Sequence, residues 1–401
     1  MNNIYCTMPW QEIHINADGS YQTCGDQIKD FLHENAFRET YNVRNMTPEA
    51  WMRCQFQTQA RLDKLNGVAN PACAMCYTEE AAGKSSKRLR EIEKFKVIPA
   101  AFKQSDLVYE PISYHLSLGN ECNLACKMCN PLASSRIASE LKQQCQYTGP
   151  VIENWTNDDA LWNRTIDSML ANKNFKFLHI IGGEPLINRR LEPLLDQLIA
   201  AGKTDLKYVG FTTNATVYNQ QIMEKLAQFS YVDVGVSIET ADRLNDFIRK
   251  GSDTKTILAN TEQFLQHRRP GRLAITIRTV PSALSVPSID SLMQWCADRC
   301  ADVMSNTLVS PEYMQMRHLP QDVKRRLIDR LNRWPYSEPA PEGAHSRDER
   351  YYKAHIDAEL RAIVRQLELP NDVVKTEQLY DQLGRWGWLD DAEIRQHFVL
   401  E

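Results

Sequence analysis

The stretch Cys122-Asn123-Leu124-Ala125-Cys126-Lys127-Met128-Cys129 places three thiols at the spacing C-x3-C-x2-C. It comes shortly after an alternating, strand-like run at Ile112 to Leu118. Three cysteines this close can reach one metal centre. Iron–sulfur clusters are held by cysteine thiolates, four for a closed cubane. Three leave one iron without a protein ligand, open to a reactive group. Zinc would ask for a fourth cysteine or histidine at a matching spacing. Incidental cysteines are the blander alternative.

Downstream, strand-like runs alternate with helical patterns. The runs are Phe177 to Ile181, Tyr208 to Thr212, Val232 to Ile238, Leu273 to Val280 and, weakly, Thr307 to Val309. Helical patterns lie between them at Arg190 to Ala201, Asn219 to Gln228 and Thr256 to His267. Alternating β and α argues for parallel strands, in an α/β barrel or a wound sheet. Gly182-Gly183-Glu184-Pro185 follows the second run. Its glycines let the backbone approach a ligand closely, and Glu184 can accept hydrogen bonds from an ammonium.

The cysteine triplet, followed one β/α unit later by this GGEP, resembles the radical S-adenosylmethionine (SAM) superfamily. The resemblance implies a [4Fe–4S] cluster on Cys122, Cys126 and Cys129, which are then the catalytic residues as well as metal ligands. Its open iron chelates the amino and carboxylate groups of SAM. One electron cleaves SAM to methionine and a 5′-deoxyadenosyl radical, which abstracts hydrogen from a substrate. The resemblance also implies an open, TIM-like partial (β/α)6 barrel. In such barrels functional groups sit at the C-terminal ends of strands.

The implied cofactor contacts are these. Gly182, Gly183, Glu184 and Pro185 hold the SAM amino group. Thr213 and Asn214, in Thr212-Thr213-Asn214, make a weaker contact. Ser237 and Glu239, in Ser237-Ile238-Glu239, face the ribose or methionyl part. Phe247-Ile248-Arg249-Lys250-Gly251 is similar to the Tyr-Ile-Arg-x-Gly run of SPASM and twitch enzymes. Arg249 either pairs with the SAM carboxylate or is a surface arginine before a helix stop. Met128 stands where many members carry an aromatic residue, and its polarisable sulfur suits adenine. Arg278 is a candidate for cofactor or substrate charge, or one half of a rim ion pair.

Cys6, Cys24, Cys73 and Cys76 form a second constellation. Alternation around Ile13 and Ile15, then Asp18-Gly19, reads as a β-hairpin with a tight turn. The hairpin brings Cys6 and Cys24 together. Cys73-Ala74-Met75-Cys76 is a C-x2-C knuckle after Asn70-Pro71. The four thiols make a plausible cage. The pattern, with the expected helix from Asn45 through Trp51, Phe56 and Arg61, resembles the twitch domain, the shortened SPASM domain. That implies an auxiliary [4Fe–4S] cluster on Cys6, Cys24, Cys73 and Cys76. A zinc ribbon is the alternative, since four cysteines also suit tetrahedral zinc. His14 reads as a strand side chain rather than a ligand, and Cys54 as an inert helix residue.

These readings divide the chain into residues 1–82, a twitch-like auxiliary domain; 83–108, a basic connecting helix; 109–312, the partial barrel; and 313–401, a C-terminal helical cap. The connecting helix is expected to be a solvated face, or one that steers an acidic electron donor such as flavodoxin or ferredoxin. Cys296 and Cys300 read as sharing one helix face in Trp295 to Asp302, and with Cys145 as inert. In the cap, helices are expected at Gln321 to Trp334, Tyr351 to Leu367 and Gln378 to His397, with a Pro-rich linker at Pro335 to Arg350.

At 401 residues, two or three domains or one barrel with an appendage are expected. A net charge of −4 argues against a general nucleic-acid binder. There is no apolar run long enough to span a membrane, and the first residues lack a signal peptide's basic and apolar regions. The expectation is a cytoplasmic protein whose 11 cysteines serve metal or catalysis rather than disulfides. The function expected is a radical SAM enzyme acting on a peptide or small molecule. The competing class is a non-catalytic module with zinc at both cysteine clusters.

Overall fold

Tyr114, Leu116 and Leu118 alternate with polar neighbours, and all three are buried. This period of two is what a strand requires when one face is covered by helices. The structure is a computed structural model. It describes residues 4–25, 35–81, 85–95, 111–146, 149, 152–335 and 349–398. Within them the strands are β1 (Glu12–Ile15), β2 (Tyr21–Gln22), β3 (Ser113–Ser117), β4 (Phe177–Ile181), β5 (Tyr208–Thr213), β6 (Val232–Ser237), β7 (Leu273–Thr279) and β8 (Asp302–Ser305).

They form one eight-stranded sheet in the order β2-β1-β3-β4-β5-β6-β7-β8. Strands β3 to β8 are parallel, joined through helices such as Leu191–Ala200, Gln220–Leu226 and Thr254–Gln266. Leu178, Val209, Phe211, Val234, Ile275 and Val303 are fully buried on the helix side. The alternate residues turn the other way. His14, His115, His179, Tyr208, Arg278 and Met304, from β1 through β8, line a single cavity of about 880 Å³. One cavity touched by strands from β1 to β8 means that the sheet curls around it.

The N-terminal hairpin forms as expected, but it does not stand apart from the parallel strands. β1 pairs antiparallel with β2 and, on its other edge, parallel with β3 from Glu12↔Ser113 to Ile15↔Leu116. Its own aromatic layer includes Tyr21 stacked on Trp51 at 5.3 Å. Arg61 is fully buried there, donating from Nε to Pro9 O at 3.0 Å and from Nη1 to Met52 O at 2.7 Å.

Several local expectations need correction. The last strand is Asp302–Ser305, and Thr307 to Val309 is a loop lining the cavity. The preceding helix stops at Asp298, and Cys300 adopts a left-handed φ of 47°. Cys296 and Cys300 therefore do not share a helix face, and the chain enters β8 at once. Cys54 lies at the break between helices Pro48–Arg53 and Gln55–Asn66. The expected helix Gln378 to His397 is two helices, Val373–Arg385 and Ala392–Phe398, parted by Gly387 at φ 71°. Of the connecting helix, Lys87–Phe95 is described; residues 96–110 lie outside the described residues, as does 336–348 of the expected linker. Helix Glu349–Leu367 covers the edge strand β8, with His355 Nε2 2.6 Å from Val303 O. Among the described residues no helix is long and apolar enough to cross a membrane.

Candidate active site and cysteine centres

The cysteine triplet lies on the loop that leaves the C-terminal end of β3. Local sequence cannot fold this loop alone, so neighbours hold it. Ala125 N donates to Lys250 O at 2.9 Å and Lys127 N to Ile248 O at 2.8 Å. Ser134 Oγ donates to Leu124 O, and Cys122 N to Ser135 Oγ. The run Phe247 to Gly251 thus serves as a splint for the cysteines. All three thiols are half-buried. Burial pushes Cys122 and Cys126 up, against the lowering pull of the nearby Arg249 guanidinium, and pushes Cys129 up to about 12.

Arg249 is no surface residue. It is buried, with Nη1 3.0 Å from Glu239 Oε1. Glu239 Oε2 accepts from Thr279 Oγ1 and Val280 N. Arg249 Nε is buried and has no hydrogen-bond partner among the described residues. A buried charge-bearing donor beside three thiols suits an anionic ligand, since leaving such a donor unsatisfied costs about 1–3 kcal/mol.

Glu184 is 1% exposed, and its carboxylate is already engaged. It accepts from Thr213 Oγ1 at 2.7 Å, from Asn214 N and from Leu186 N at 3.0 Å. Burial raises its pKa above the ordinary carboxylate value, while these bonds oppose the rise. Its immediate work is to tie the GGEP turn to the end of β5, with Pro185 buried beneath. The glycines are needed against protein backbone. A Cβ on Gly183 would lie 2.0 Å from Glu121 O, and one on Gly182, at φ 145°, 2.6 Å from Gly119 O. Gly183 N and Glu184 N donate to Gly119 O and Glu121 O. The turn therefore clamps the strand exit that feeds the cysteine loop.

Asn214 Nδ2 donates to Asn123 Oδ1 at 2.9 Å, linking β5 to the cysteine loop. Ser237 is half-buried at the end of β6, and Met128 lines the large cavity. Arg278 is paired with Asp233 at 2.6 Å inside the curl of the sheet. Asn123, and Arg136, whose Nη1 donates to Asn123 O at 2.6 Å, were not singled out from sequence. Only their position within and just after the triplet marks them. Lys127 lies over Trp386 at 4.6 Å, so the C-terminal helices reach the cluster loop.

The second constellation also converges. Cys6, Cys24, Cys73 and Cys76 line one small cavity together with Met8 and Lys64. Lys64 Nζ is 3.3 Å from Cys73 Sγ. Burial, with Cys73 and Cys76 adding to it, pushes Cys6 up to about 12, against the pull of Lys64. Four thiols around one apolar cavity, with a lysine to offset charge, fit a fully ligated metal group.

Residues 116–281 match the Radical SAM superfamily. Among curated proteins, GTP 3′,8-cyclase of Synechocystis is 26% identical over 148 residues, 37% of this chain and 39% of that protein. Mycofactocin maturase MftC of Mycolicibacterium smegmatis is 31% identical over 147 residues, 35% of this chain and 31% of that protein. The chain thus spans about a third of the length of the curated relatives it matches. Among solved structures, anSMEcpe with bound AdoMet has a TM-score of 0.42 at 18% identity, covering 56% of this chain and 60% of that one. Streptococcus suis SuiB bound to precursor peptide SuiA has a TM-score of 0.40 at 18% identity, covering 69% and 62%. The radical SAM match begins in β3 and ends just after β7, so it contains the triplet, GGEP, Glu239 and Arg249.

Proposed function

We propose that the chain is a radical SAM enzyme with a partial (β/α)6 barrel and one auxiliary cluster in an N-terminal twitch-like segment. The observation that carries this is the triplet loop, whose Met128 lines the large cavity, with the unpartnered Nε of buried Arg249 beside the thiols. A [4Fe–4S] cluster with SAM on its open iron supplies, on one-electron reduction, methionine and a hydrogen-abstracting 5′-deoxyadenosyl radical. Cys122, Cys126 and Cys129 hold the cluster. Arg249 offers its Nε to the SAM carboxylate. Glu184 keeps the turn that shapes the amino-group site, and Met128 lies against the cavity where adenine is expected.

The cavity of about 880 Å³ has room for a small metabolite or one residue of a peptide with its neighbours. The electron comes from a low-potential donor of the flavodoxin or ferredoxin kind. Cys6, Cys24, Cys73 and Cys76 would hold the auxiliary [4Fe–4S] cluster, which would supply a second redox centre for the product electron or a fixed point for substrate.

The test is reductive SAM cleavage. The reconstituted protein with dithionite and SAM should form 5′-deoxyadenosine, and Cys126→Ala should form none. Wild-type levels in that variant would sink the reading.

A further inference from the structure

The wall of the large cavity carries a group of side chains that neither cysteine centre uses. Glu12 and His14 are two apart on β1, so they share a face. His115 is the register partner of His14 across the β1–β3 pair. The three therefore meet by strand geometry alone. One ligand atom from each lies within 4.8 Å of the others. Glu12 and His14 are 5% and 3% exposed.

The hydrogen bonds around them orient His14 for ligation. Ser20 Oγ donates to Asp18 Oδ1 at 2.7 Å, so Ser20 Oγ is an acceptor for Asn16 Nδ2 at 3.1 Å. That turns Asn16 Oδ1 toward His14 Nε2, also at 3.1 Å. A carbonyl oxygen can only accept, so Nε2 carries the proton. Nδ1 is left with its lone pair, buried and with no partner among the described residues. Such an outer hydrogen bond is the usual companion of a metal-ligating histidine.

Gly25 faces this lone pair. A Cβ there would lie 3.0 Å from His14 Nδ1 and 2.9 Å from His115 Nδ1. The absence of a side chain at residue 25 therefore keeps open the space between two imidazole nitrogens.

We propose that Glu12, His14 and His115 form a mononuclear site for a divalent transition metal, set in the cavity wall and distinct from both cysteine centres. Two imidazoles and one carboxylate with open positions are the donor set of non-haem iron(II), and suit manganese, cobalt and nickel as well. Lys87 Nζ now lies 3.2 Å from Glu12 Oε1. Its ammonium supplies there the positive charge that a metal would bring, so binding must displace it.

Manganese(II) is the probe, because thiolates hold it poorly and the cysteine centres will not compete. The full chain, with clusters reconstituted anaerobically and iron outside the clusters then removed by a mild chelator, is titrated, and free Mn²⁺ is read from its room-temperature EPR amplitude. One Mn²⁺ per chain is expected. His14→Ala and His115→Ala should each weaken it tenfold or more. Gly25→Val should do the same with every ligand in place, and Lys87→Met should tighten binding. An unchanged circular-dichroism spectrum and unchanged cluster absorbance report that each variant is folded. No stoichiometric binding in the wild type, or binding that survives both His115→Ala and Gly25→Val, overturns the site. The measurement uses no SAM, so it succeeds or fails independently of the SAM-cleavage reading.

Discussion

The two cysteine centres differ in how they are closed. The centre after β3 has three thiols on one loop, whose Met128 lines the large cavity, and a buried arginine alongside. The N-terminal centre has four thiols from separate elements, gathered around a small apolar cavity with Lys64 against one of them. The first arrangement leaves a coordination position for a ligand. The second leaves none. On the proposed reading the same residue type would serve reaction in one place and fixed ligation in the other, with the number of thiols and their surroundings deciding which.

The largest expected effect separates the two directly. The triple variant Cys122→Ala, Cys126→Ala, Cys129→Ala should keep about four irons per chain, the content of one cubane. Adding Cys73→Ala and Cys76→Ala should remove them. If the triple variant takes up zinc and no iron after anaerobic reconstitution, the N-terminal centre is structural. Replacing Cys73 and Cys76 alone should abolish substrate turnover and leave uncoupled SAM cleavage.

A smaller effect concerns the fixtures of the centre after β3. Arg249→Met strips Glu239 of its buried partner, and breaking such a pair costs about 3–5 kcal/mol. Chemical denaturation should show that loss, and SAM binding should weaken with it. Glu184→Ala removes a carboxylate holding three hydrogen bonds, so stability should fall by about 1.5–3 kcal/mol alongside SAM affinity. A variant that loses affinity with full stability would mean that Glu184 acts on the ligand and not on the turn.

The smallest is electrostatic. Lys64→Met removes a cation 3.3 Å from Cys73 Sγ. The reduced cluster carries more negative charge, so the auxiliary midpoint potential should fall in a redox titration, while 5′-deoxyadenosine formation with dithionite stays. A potential that does not move would place the cluster elsewhere.

Much of this could be read from the chain itself. The C-x3-C-x2-C spacing, GGEP and the Asp18-Gly19 hairpin are local patterns, and a local pattern is fixed by neighbours in sequence. The β/α alternation set the parallel sheet for the same reason, since period-two burial is written within each strand. Short segments misled where a backbone reversal was hidden, as at Cys300 and Gly387, because one left-handed residue leaves little trace in hydrophobic pattern.

What the sequence determined by itself was the pair of cysteine motifs and the order of strands and helices. Tertiary structure decided what each side chain meets. Glu184 meets Thr213 and Asn214, Arg249 meets Glu239, and His14 meets His115, each through a contact between elements distant in sequence. Strand register sets which residues face one another, and register depends on how the whole sheet packs against its helices. That is why β1 joined the parallel sheet, and why a histidine that read as an ordinary strand residue came to face a second histidine in the cavity wall.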